Sequence, residues 1–368
     1  MAPGQILSVH VVYRTSTGFT LDAAFEARPG FTMILGPSGG GKTTLLNCIA
    51  GFVRPDAGRI TIGAHVLFDS AERIDAPPAA RRLGYVFQNL ALFPHLTAAQ
   101  NVEYGLARLR ADERHARAAT MLDAMRIAHL AGRKPVEISG GERQRVALAR
   151  SLVTDPDALM LDEPLAALDA ATKSRILDDL RTWNAAREIP ILYVTHSPDE
   201  AFALGERVVV LEAGRILAQG MPQNVLTTPR HETIAQVVGF ENVFDATVKS
   251  IAAGQGTMLC QLNGSATEIE VPLGHAEPGD RIRIAIRAGD IIVAVGRPNG
   301  LSARNSLQGR IRSIRREGVR VVVMIDAGSS FEVHLTPAAI DSLHLQAGKE
   351  VWLVIKTYSC NLVEPSNQ

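Results

Sequence analysis

The sequence GPSGGGKT fills residues 36–43 and reads Gly36, Pro37, Ser38, Gly39, Gly40, Gly41, Lys42 and Thr43, with Thr44 next. It fits the pattern G-x-x-x-x-G-K-[ST], with an apolar run before it and a helical pattern after it. The glycines allow backbone N–H groups to curl around a phosphate at the positive end of a helix. Lys42 supplies a cation for the β- and γ-phosphates, and the Thr43 hydroxyl suits Mg²⁺. This context argues against a glycine-rich turn before an ordinary helix.

Two acids end an apolar run at residues 160–164, MLDEP. Asp162 is placed to hold Mg²⁺ through water, and Glu163 is placed to orient and deprotonate an attacking water. Taken alone, the pair is equally consistent with two solvated acids before a proline. Beside a phosphate loop, it favours a site that hydrolyses a nucleotide.

A second glycine turn lies at residues 138–145, ISGGERQR. Ser139 and Glu142 fit a capping box, so one interpretation is a well-capped helix and nothing more. Gly140 and Gly141 are poor helix formers, but they leave backbone N–H groups open to an anion. Two phosphate-binding turns from one subunit would be redundant for a single phosphate chain. We therefore expect this turn to close over the γ-phosphate of a nucleotide held by another copy, in an ATP-driven, head-to-tail clamp.

Composition excludes several classes of protein. Lys and Arg together number 38 in the 368 residues, as do Asp and Glu, so no overall field attracts nucleic acid or an acidic membrane. Cys48, Cys260 and Cys360 are far apart in the sequence, which argues against a disulfide framework or zinc site and suits a reducing cytosol. The first residues lack the order of a secretory signal, and no apolar run is long enough to span a bilayer. A membrane role is expected to require a partner.

The first 238 residues alternate apolar runs with helical patterns, which predicts a mostly parallel sheet covered by helices. Strands are predicted at residues 31–35, 84–87, 158–161, 191–194 and 207–211. Helices are predicted at residues 42–50, 98–109, 112–125, 140–153, 170–186 and 199–204. Because helices follow one another between residues 97 and 152, we expect a helical subdomain at about 89–155.

After Gly239 the sequence pattern changes to short alternating apolar runs and Gly-rich turns, which predicts a small all-β, OB-like domain. This tail contains a repeat. NVFDATVKSI at residues 242–251 returns as NSLQGRIRSI at 305–314, and GDRIRIAIRA at 279–288 returns as GKEVWLVIKT at 348–357. We therefore expect three parts: an ATPase cassette at 1–238, a first β-repeat at 239–300 and a second at 301–368.

Six motifs occur in an order that resembles the ATP-binding subunit of an ABC transporter, over about residues 5–239. They are GPSGGGKT, VFQ ending at Gln88, ISGGERQR, LMLDEP, ALD ending at Asp169 and VTHS around His196. The resemblance implies an α/β P-loop ATPase cassette that uses ATP and Mg²⁺. It implies a homodimer that binds integral membrane permease subunits, and a peripheral location at the cytoplasmic face of the inner membrane.

The resemblance also implies roles for single residues. Gln88 is expected to sense the nucleotide, to ligate the metal and to couple to the membrane partner. His196 is expected to contact the γ-phosphate, and Asp169 to line the dimer interface. Members of the family usually stack an aromatic residue of the first strand on adenine. Tyr13 is the candidate here, although His10 is nearby and a surface tyrosine without a role stays open.

Two positions depart from the family pattern, with Glu142 where many members carry Gln and Ala166 where Ser is common. Neither change removes a catalytic group. The segment at residues 89–106 exposes three apolar side chains, Leu92, Phe93 and Leu96. In this family such a segment docks a cytoplasmic helix of the membrane subunit, and the alternative is a loop packed on its own lobe.

The tail contains GLSARNSLQGRI at residues 300–311 and LQAGKEVWLVIKTYS at residues 345–359. With these stretches it resembles the Mop-type oxyanion-binding module of molybdate-import ATPases. Four residues of the second repeat, Ser302, Arg304, Asn305 and Lys356, offer hydroxyl, amide and cationic donors without an acid, which suits a tetrahedral dianion. The first repeat keeps Arg287 in place of Lys356 but has Glu241 in place of Arg304. Since an acid weakens anion binding, we place the site mainly in the second repeat. A module that only dimerises is the alternative.

The favoured function is the ATPase of a molybdate or tungstate importer, which a periplasmic or extracellular oxyanion-binding protein serves indirectly. An importer for sulfate, iron or polyamine, with a tail that only regulates or dimerises, is the nearest alternative. A soluble ABC ATPase acting on DNA or ribosomes is disfavoured by the single unsplit cassette and the absence of a basic stripe, so no nucleic-acid partner is expected. A pure oxyanion store leaves the nucleotide site unexplained.

Overall fold

The computed structural model describes residues 5–165, 168–226, 234–235, 239–318 and 320–363. Ala166, one of the two departures from the family pattern, lies outside the described residues. The chain divides into two compact units, residues 1–225 and 226–368. Within the described residues, no helix combines the length and the apolar character that a bilayer crossing requires.

The first unit is built on an 11-stranded sheet in the order β6-β5-β4-β1-β2-β11-β10-β3-β9-β8-β7. The strands are β1 (Leu7–Arg14), β2 (Thr20–Ala27), β3 (Gly30–Leu35), β4 (Ala57–Ile62), β5 (His65–Asp69), β6 (Ile74–Asp75), β7 (Leu83–Val86), β8 (Ala158–Asp162), β9 (Pro190–Val194), β10 (Arg207–Glu212) and β11 (Arg215–Gly220). The five predicted strands are confirmed as β3 and β7 to β10, which pair in parallel.

The expectation of a mostly parallel sheet was wrong for the other half. Strands β1, β2, β4, β5 and β6 pair antiparallel with one another, and β11 pairs antiparallel with β10. The antiparallel strand β2 alternates strictly between exposed and buried residues, whereas β8 and β9 are buried along their whole length. A parallel strand covered on both faces gives a continuous apolar run that is easily found, while alternating strands give a weaker signal.

Seven helices are described in the first unit and at its junction with the second. They are α1 (Lys42–Ala50), α2 (Ala98–Glu103), α3 (Ala111–Ala124), α4 (Gly140–Leu152), α5 (Ala170–Ala185), α6 (Pro198–Leu204) and α7 (Pro222–Leu226). Helix α2 is shorter than predicted because a single 3-10 turn, Tyr104–Leu106, follows it. Between β7 and β8 the described chain contains α2, α3 and α4 and no strand, and α2 packs against both other helices. This confirms the helical lobe.

A buried arginine closes the carboxyl end of α1. The Arg81 guanidinium has no exposed surface and donates to the carbonyls of Cys48 and Ile49, at 2.9 and 2.6 Å. It also donates to the Asp75 carboxylate at 2.9 Å. Gly51 leaves room for this group, since a Cβ there would lie 2.6 Å from Arg81 Nε. A cation at this end of a helix satisfies carbonyls that have no partner within the helix.

The tail forms two five-stranded sheets, in the orders β14-β13-β12-β15-β21 and β16-β20-β17-β18-β19. The strands are β12 (Asn242–Ala252), β13 (Thr257–Leu262), β14 (Glu268–Pro272), β15 (Arg281–Ile286), β16 (Ile292–Ala294), β17 (Asn305–Glu317), β18 (Arg320–Asp326), β19 (Ser330–Leu335), β20 (Glu350–Ile355) and β21 (Cys360–Val363), with one helix, α8 (Pro337–Ser342). The repeats exchange strands. β16 lies in the first repeat but completes the second sheet, and β21 lies in the second repeat but completes the first.

Two asparagines at matching repeat positions fasten the tail sheets to each other. Asn242, in β12, accepts from the Glu332 N–H at 2.7 Å and donates to its carbonyl at 2.8 Å. Asn305, in β17, makes the same pair of bonds to Glu270, at 2.7 and 2.9 Å. Both side chains are buried, and the two sheets share one apolar core. The repeated unit therefore folds as one body around a local two-fold relation.

Replacing Arg81 by Met should lower the free energy of unfolding by about 3–5 kcal/mol, because the change leaves Asp75 and two helix carbonyls without their buried partner. Arg82→Met is the matched control, since Arg82 is 65% exposed and pairs with Asp157 at 3.4 Å. Its cost should be below about 1 kcal/mol. Urea unfolding followed by circular dichroism measures both, and equal losses would contradict the role given to Arg81.

Candidate functional site

A cavity of 570 Å³ opens above the phosphate loop. It is lined by Thr15, Phe19, Ser38, Gly39, Gly41, Lys42, Thr43, Thr44, Gln88, Glu163 and His196. Residues from four of the sequence motifs therefore meet in one place, although they come from widely separated segments. Their common position follows from the parallel strands β3, β7, β8 and β9, since the carboxyl ends of parallel strands meet at one edge of a sheet.

The phosphate loop lies directly against the backbone at the end of β10. A Cβ at Gly36 would be 1.9 Å from the Leu211 carbonyl oxygen, and the φ angle of Gly36 is 147°. Gly41 precedes α1 with a φ of 100°, and a Cβ there would lie 2.8 Å from the Phe19 ring. Both positions therefore require glycine, which is the physical content of the motif.

Lys42 is buried at the start of α1. Its Nζ donates to the carbonyl oxygens of Gly36 and Pro37, both at 2.9 Å. Burial lowers the pKa of Lys42, and the nearby charges of Glu163 and Asp162 oppose that shift. The ammonium group is thus held inside the loop at the floor of the cavity.

Glu163 joins the catalytic candidates into one cluster. Gln88 Nε2 donates to Glu163 Oε2 at 3.2 Å, and His196 Nε2 contacts Glu163 Oε1. The Glu163 backbone has a φ of 47°, in the left-handed region, and its N–H donates to the Val194 carbonyl at 3.1 Å. This strained backbone, which sits directly after β8, aims the carboxylate into the cavity.

The three metal candidates face a common space. Thr43, Gln88 and Asp162 all line a cavity of 410 Å³, which shares Thr43 and Gln88 with the nucleotide cavity. Burial raises the pKa of Asp162, and a hydrogen bond from the Thr43 side chain acts against that rise. A buried carboxylate beside a hydroxyl and an amide oxygen is the oxygen-rich set that Mg²⁺ prefers. The residues present fit the ion.

The second glycine turn lies outside this cavity. Ser139 caps α4 as predicted, because its N–H donates to Glu142 Oε2 at 2.7 Å and its hydroxyl accepts from the Glu142 N–H at 3.4 Å. Neither Ser139, Gly140 nor Gly141 lines the nucleotide cavity of its own chain. Gly141 also has a local reason to be glycine, since a Cβ there would lie 2.9 Å from Thr172.

Asp169 stands next to this turn at the start of α5. Its carboxylate accepts from the Thr172 N–H at 3.0 Å and caps the helix. Backbone and side-chain hydrogen bonds from Thr172 lower the pKa of Asp169. Thr172 thus touches both Asp169 and the Gly141 position, so the two predicted interface residues lie on one surface of the chain.

The residue predicted to stack on adenine, Tyr13, is not among those that line the cavity. Tyr13 and Phe19 both pack against the hydrophobic core of the first unit, but neither Tyr13 nor His10 lines the cavity. The turn between β1 and β2 brings Phe19 there instead, closed by bonds of 2.9 Å from the Thr15 N–H to the Phe19 carbonyl and 3.1 Å from the Phe19 N–H to the Thr15 hydroxyl. Sequence reasoning missed Phe19 because β2 was not predicted, although an aromatic residue in a hairpin turn was the available signal.

The segment at residues 89–106 is fastened to its own lobe while its apolar side chains stay half-buried. Asn101, which is fully buried, accepts from the Phe93 N–H at 2.9 Å and donates to the Phe93, Leu96 and Thr97 carbonyls. Arg150 donates to the carbonyls of residues 90 and 91. The backbone is thus packed on its own lobe, which was the alternative to docking. The side chains of Leu92, Phe93 and Leu96 nevertheless all keep exposed surface.

The tail keeps three of its four anion-binding candidates on the surface. Ser302, Arg304 and Lys356 are exposed. Because Asn305 pairs with Ile355 across β17 and β20, Arg304 and Lys356 both stand one residue beyond the same end of that ladder. The expected role of Asn305 was wrong, since it is 4% exposed and both ends of its amide are bonded to Glu270.

The surroundings of this ladder end also differ from expectation. Glu270 accepts from the Thr357 hydroxyl at 3.3 Å, so an acid of the first repeat contacts the residue that follows Lys356. At the matching end of β12 and β15, Glu241 and Arg287 replace the two cations. There the Glu241 carboxylate accepts from the Ala288 N–H at 2.8 Å. At equivalent places, the second repeat therefore carries two cations, whereas the first carries one acid and one cation.

Comparison with known proteins finds one family match in each of the two units. The ABC transporter family matches residues 22–166, and the TOBE domain matches residues 301–362. A Rhizobium meliloti protein named molybdenum import ATP-binding protein ModC is 40% identical over 92% of this chain and 95% of its own length. A Pyrococcus abyssi protein named molybdate/tungstate import ATP-binding protein WtpC is 37% identical over 88% of this chain and 90% of its own.

Two solved structures resemble the first unit. The ATP-binding cassette MJ0796, described as a dimer bound to ADP and Pi after hydrolysis, matches with a TM-score of 0.52 and 30% identity over 59% of this chain and 98% of that one. The cbiO1 protein of Clostridium perfringens, part of the transporter complex cbiONQ, matches with a TM-score of 0.55 and 32% identity over 61% of this chain and 91% of that one. Because its relatives are similar over almost the whole length, the chain belongs to the family of ABC-transporter ATP-binding proteins whose cassette continues into a TOBE domain.

Proposed function

We propose that this chain is the ATP-hydrolysing subunit that powers the import of molybdate or tungstate through a membrane permease. ATP binding and hydrolysis belong to the family. The choice of substrate is supported by relatives that are named for molybdenum, molybdate or tungstate import and that match the tail as well as the cassette. The assignment of ATPase activity rests on the contact of Glu163 with both Gln88 and His196, at the cavity that Lys42 lines.

Glu163 is the general base of the proposed reaction. Its carboxylate lies within reach of the cavity and is held between an amide and an imidazole, so it accepts the proton of a water that attacks the γ-phosphate. Lys42 and the N–H groups of the phosphate loop stabilise the negative charge of the phosphates. His196 contacts the γ-phosphate. Thr43, Asp162 and Gln88 would hold Mg²⁺, which would neutralise part of the negative charge of the phosphates.

A second copy completes the site. Since residues 139–141 do not line the cavity of their own chain, they are available to a nucleotide held by a partner. Asp169 lies on the same surface, and its exposure suits a dimer interface. We infer a head-to-tail homodimer that ATP closes and hydrolysis releases. The similar MJ0796 cassette is a dimer with ADP and Pi bound, which supports the pairing of two copies.

The membrane partner binds at the segment of residues 89–106. Three half-buried apolar side chains project from a backbone that Asn101 and Arg150 hold firmly. A rigid apolar surface next to Gln88 suits a short cytoplasmic helix of the permease. The chain is therefore placed at the cytoplasmic face of the membrane as a peripheral subunit. A periplasmic or extracellular oxyanion-binding protein acts on it only through the permease.

The tail binds the oxyanion in its second repeat, residues 301–368. Arg304 and Lys356 stand at one ladder end, and Ser302 adds a hydroxyl. Convergent cations favour a dianion, while Glu241 in the first repeat opposes one. Asn305 contributes by fixing the start of β17 rather than by touching the anion.

Removing the Phe19 ring should weaken ATP binding by roughly 5- to 100-fold, which corresponds to about 1–3 kcal/mol of stacking. Phe19→Trp should keep affinity within about threefold, and Tyr13→Leu, the control from the core-facing strand, should leave it unchanged. Fluorescent ATP-analogue titration measures all three. A larger loss in Tyr13→Leu than in Phe19→Ala would restore the first strand as the adenine platform.

Glu163→Gln should keep ATP binding and lower the hydrolysis rate by at least about 100-fold, because it removes the base and preserves the phosphate contacts. The variant should accumulate as an ATP-bound dimer, which size-exclusion chromatography with and without ATP detects. Turnover within a few-fold of the parent would refute the assignment of Glu163.

Calorimetric titration of the full chain with molybdate, tungstate, sulfate and phosphate tests the substrate. Molybdate and tungstate should bind more tightly than sulfate, and Arg304→Ala or Lys356→Ala should weaken both by about tenfold or more. Arg287→Ala, the same change in the first repeat, is the matched control and should have little effect. Equal affinity for sulfate and molybdate, or no heat with any anion, would remove the substrate assignment.

A further inference from the structure

A second cavity of 330 Å³ lies beside the nucleotide cavity, and both are lined by Glu163 and His196. Two further charged residues line the second cavity, Lys173 of α5 and Glu200 of α6. The hydrolytic mechanism described above uses neither of them. Because both residues line the same cavity as His196, they are candidates for holding that histidine in place.

The Glu200 carboxylate makes a different bond with each oxygen. Thr195 Oγ1 donates to Oε2 at 2.6 Å, and Lys173 Nζ donates to Oε1 at 3.0 Å. The Glu200 side chain is 11% exposed and that of Lys173 is 24% exposed, so solvent screens this pair only partly. Burial and the adjacent Glu200 charge also raise the pKa of the Tyr193 hydroxyl. Glu200 is thus the centre of a small buried polar network.

This network fixes the residues on both sides of His196. The Thr195 hydroxyl donates to Glu200 and accepts from the Ser197 N–H at 3.0 Å. The Ser197 hydroxyl accepts in turn from the Glu200 N–H at 3.3 Å. His196 itself is exposed, and its side chain contacts Glu163. The direction in which the imidazole points therefore depends on a turn whose two ends are both bonded to Glu200.

Through Lys173 the same carboxylate reaches the first turn of α5. The Lys173 N–H donates to the Asp169 carbonyl at 3.0 Å, and Asp169 is the residue at which α5 is capped. The turn that carries His196 is thus attached to the start of the helix that Asp169 opens.

We propose that Glu200 is a positioning residue, which holds the His196 turn against the first turn of α5 and so sets the place of the imidazole for hydrolysis. This inference rests on the proposed contact of His196 with the γ-phosphate. A purely structural role predicts something different. If Glu200 and Lys173 served only to stabilise α5 and α6, losing them would lower stability and reduce activity equally whether or not His196 is present.

The test is a double-mutant cycle on the full chain, with Glu200→Ala and His196→Ala singly and together. Glu200→Ala should lower kcat for ATP hydrolysis by about 10- to 100-fold, the usual cost of a catalytic group displaced by about 1 Å. Its KM for ATP should stay within about twofold, because Glu200 does not line the nucleotide cavity. In the His196→Ala background, the further loss should be less than about twofold, because residues that act through one another are not additive.

Three further variants keep the outcome clear. Asp199→Ala, the exposed acid beside Glu200 in α6, is the matched control and should stay within about twofold of the parent. Glu200→Gln keeps an acceptor for Thr195 and should retain more activity than Glu200→Ala, while Lys173→Met should lose part of it. Thermal unfolding shows whether each variant is folded at the assay temperature, and Glu200→Gln replaces Glu200→Ala in the cycle if the latter is not.

The possible failures are distinct. Equal losses from Glu200→Ala in both backgrounds, or no loss in either, would overturn the positioning role and leave the ATPase site as proposed. Unchanged hydrolysis in His196→Ala would instead overturn the role of His196 and, with it, this inference.

Discussion

The site depends on one close approach of backbone, where the turn after β10 touches both the phosphate loop and β2. The Gly214 N–H donates to the Gly40 carbonyl at 3.0 Å, and its carbonyl accepts from the Asp22 N–H at 2.7 Å. A Cβ at Gly214 would lie 2.0 Å from the Thr20 carbonyl oxygen, so no other residue fits. This single turn joins the parallel and antiparallel halves of the sheet, and it sets Phe19 opposite the loop that grips phosphate.

Pairs of partly buried charges attach the surrounding elements to α5. The Asp179 carboxylate of α5 contacts the Arg145 guanidinium of α4, and it also pairs with Arg126 at 3.2 Å. The bond between Lys173 and Glu200 connects the same helix to α6. The helix that starts at the second glycine turn and the turn that carries His196 are therefore fixed to a common support. Removing one partner from such a pair costs more than the pair itself contributes, since a buried charge is left alone.

The features that could be predicted from the sequence are those encoded by residues close to one another in the chain. The phosphate loop, the acids at the end of β8 and the capping box at Ser139 are each recognisable within a few neighbouring residues, so the sequence alone located them. The place of Phe19 depends on how a hairpin of the antiparallel half meets the loop, which no local pattern records. Asn305 offers the donors of an anion ligand by composition. Only the arrangement of the two tail sheets reveals that Glu270 already occupies them.

The exchange of β16 and β21 has a consequence for how the tail can be divided. Each sheet of the tail ends in a strand that belongs to the other repeat, so neither repeat forms a complete sheet from its own stretch of chain. The boundary near residue 300 marks a duplication in the sequence but not a seam in the fold. A protease that cut there would leave two fragments that stay associated, and a gene that ended there would encode a sheet with a bare edge. Neither copy can be removed without taking a strand from the other, because each supplies part of the other's sheet.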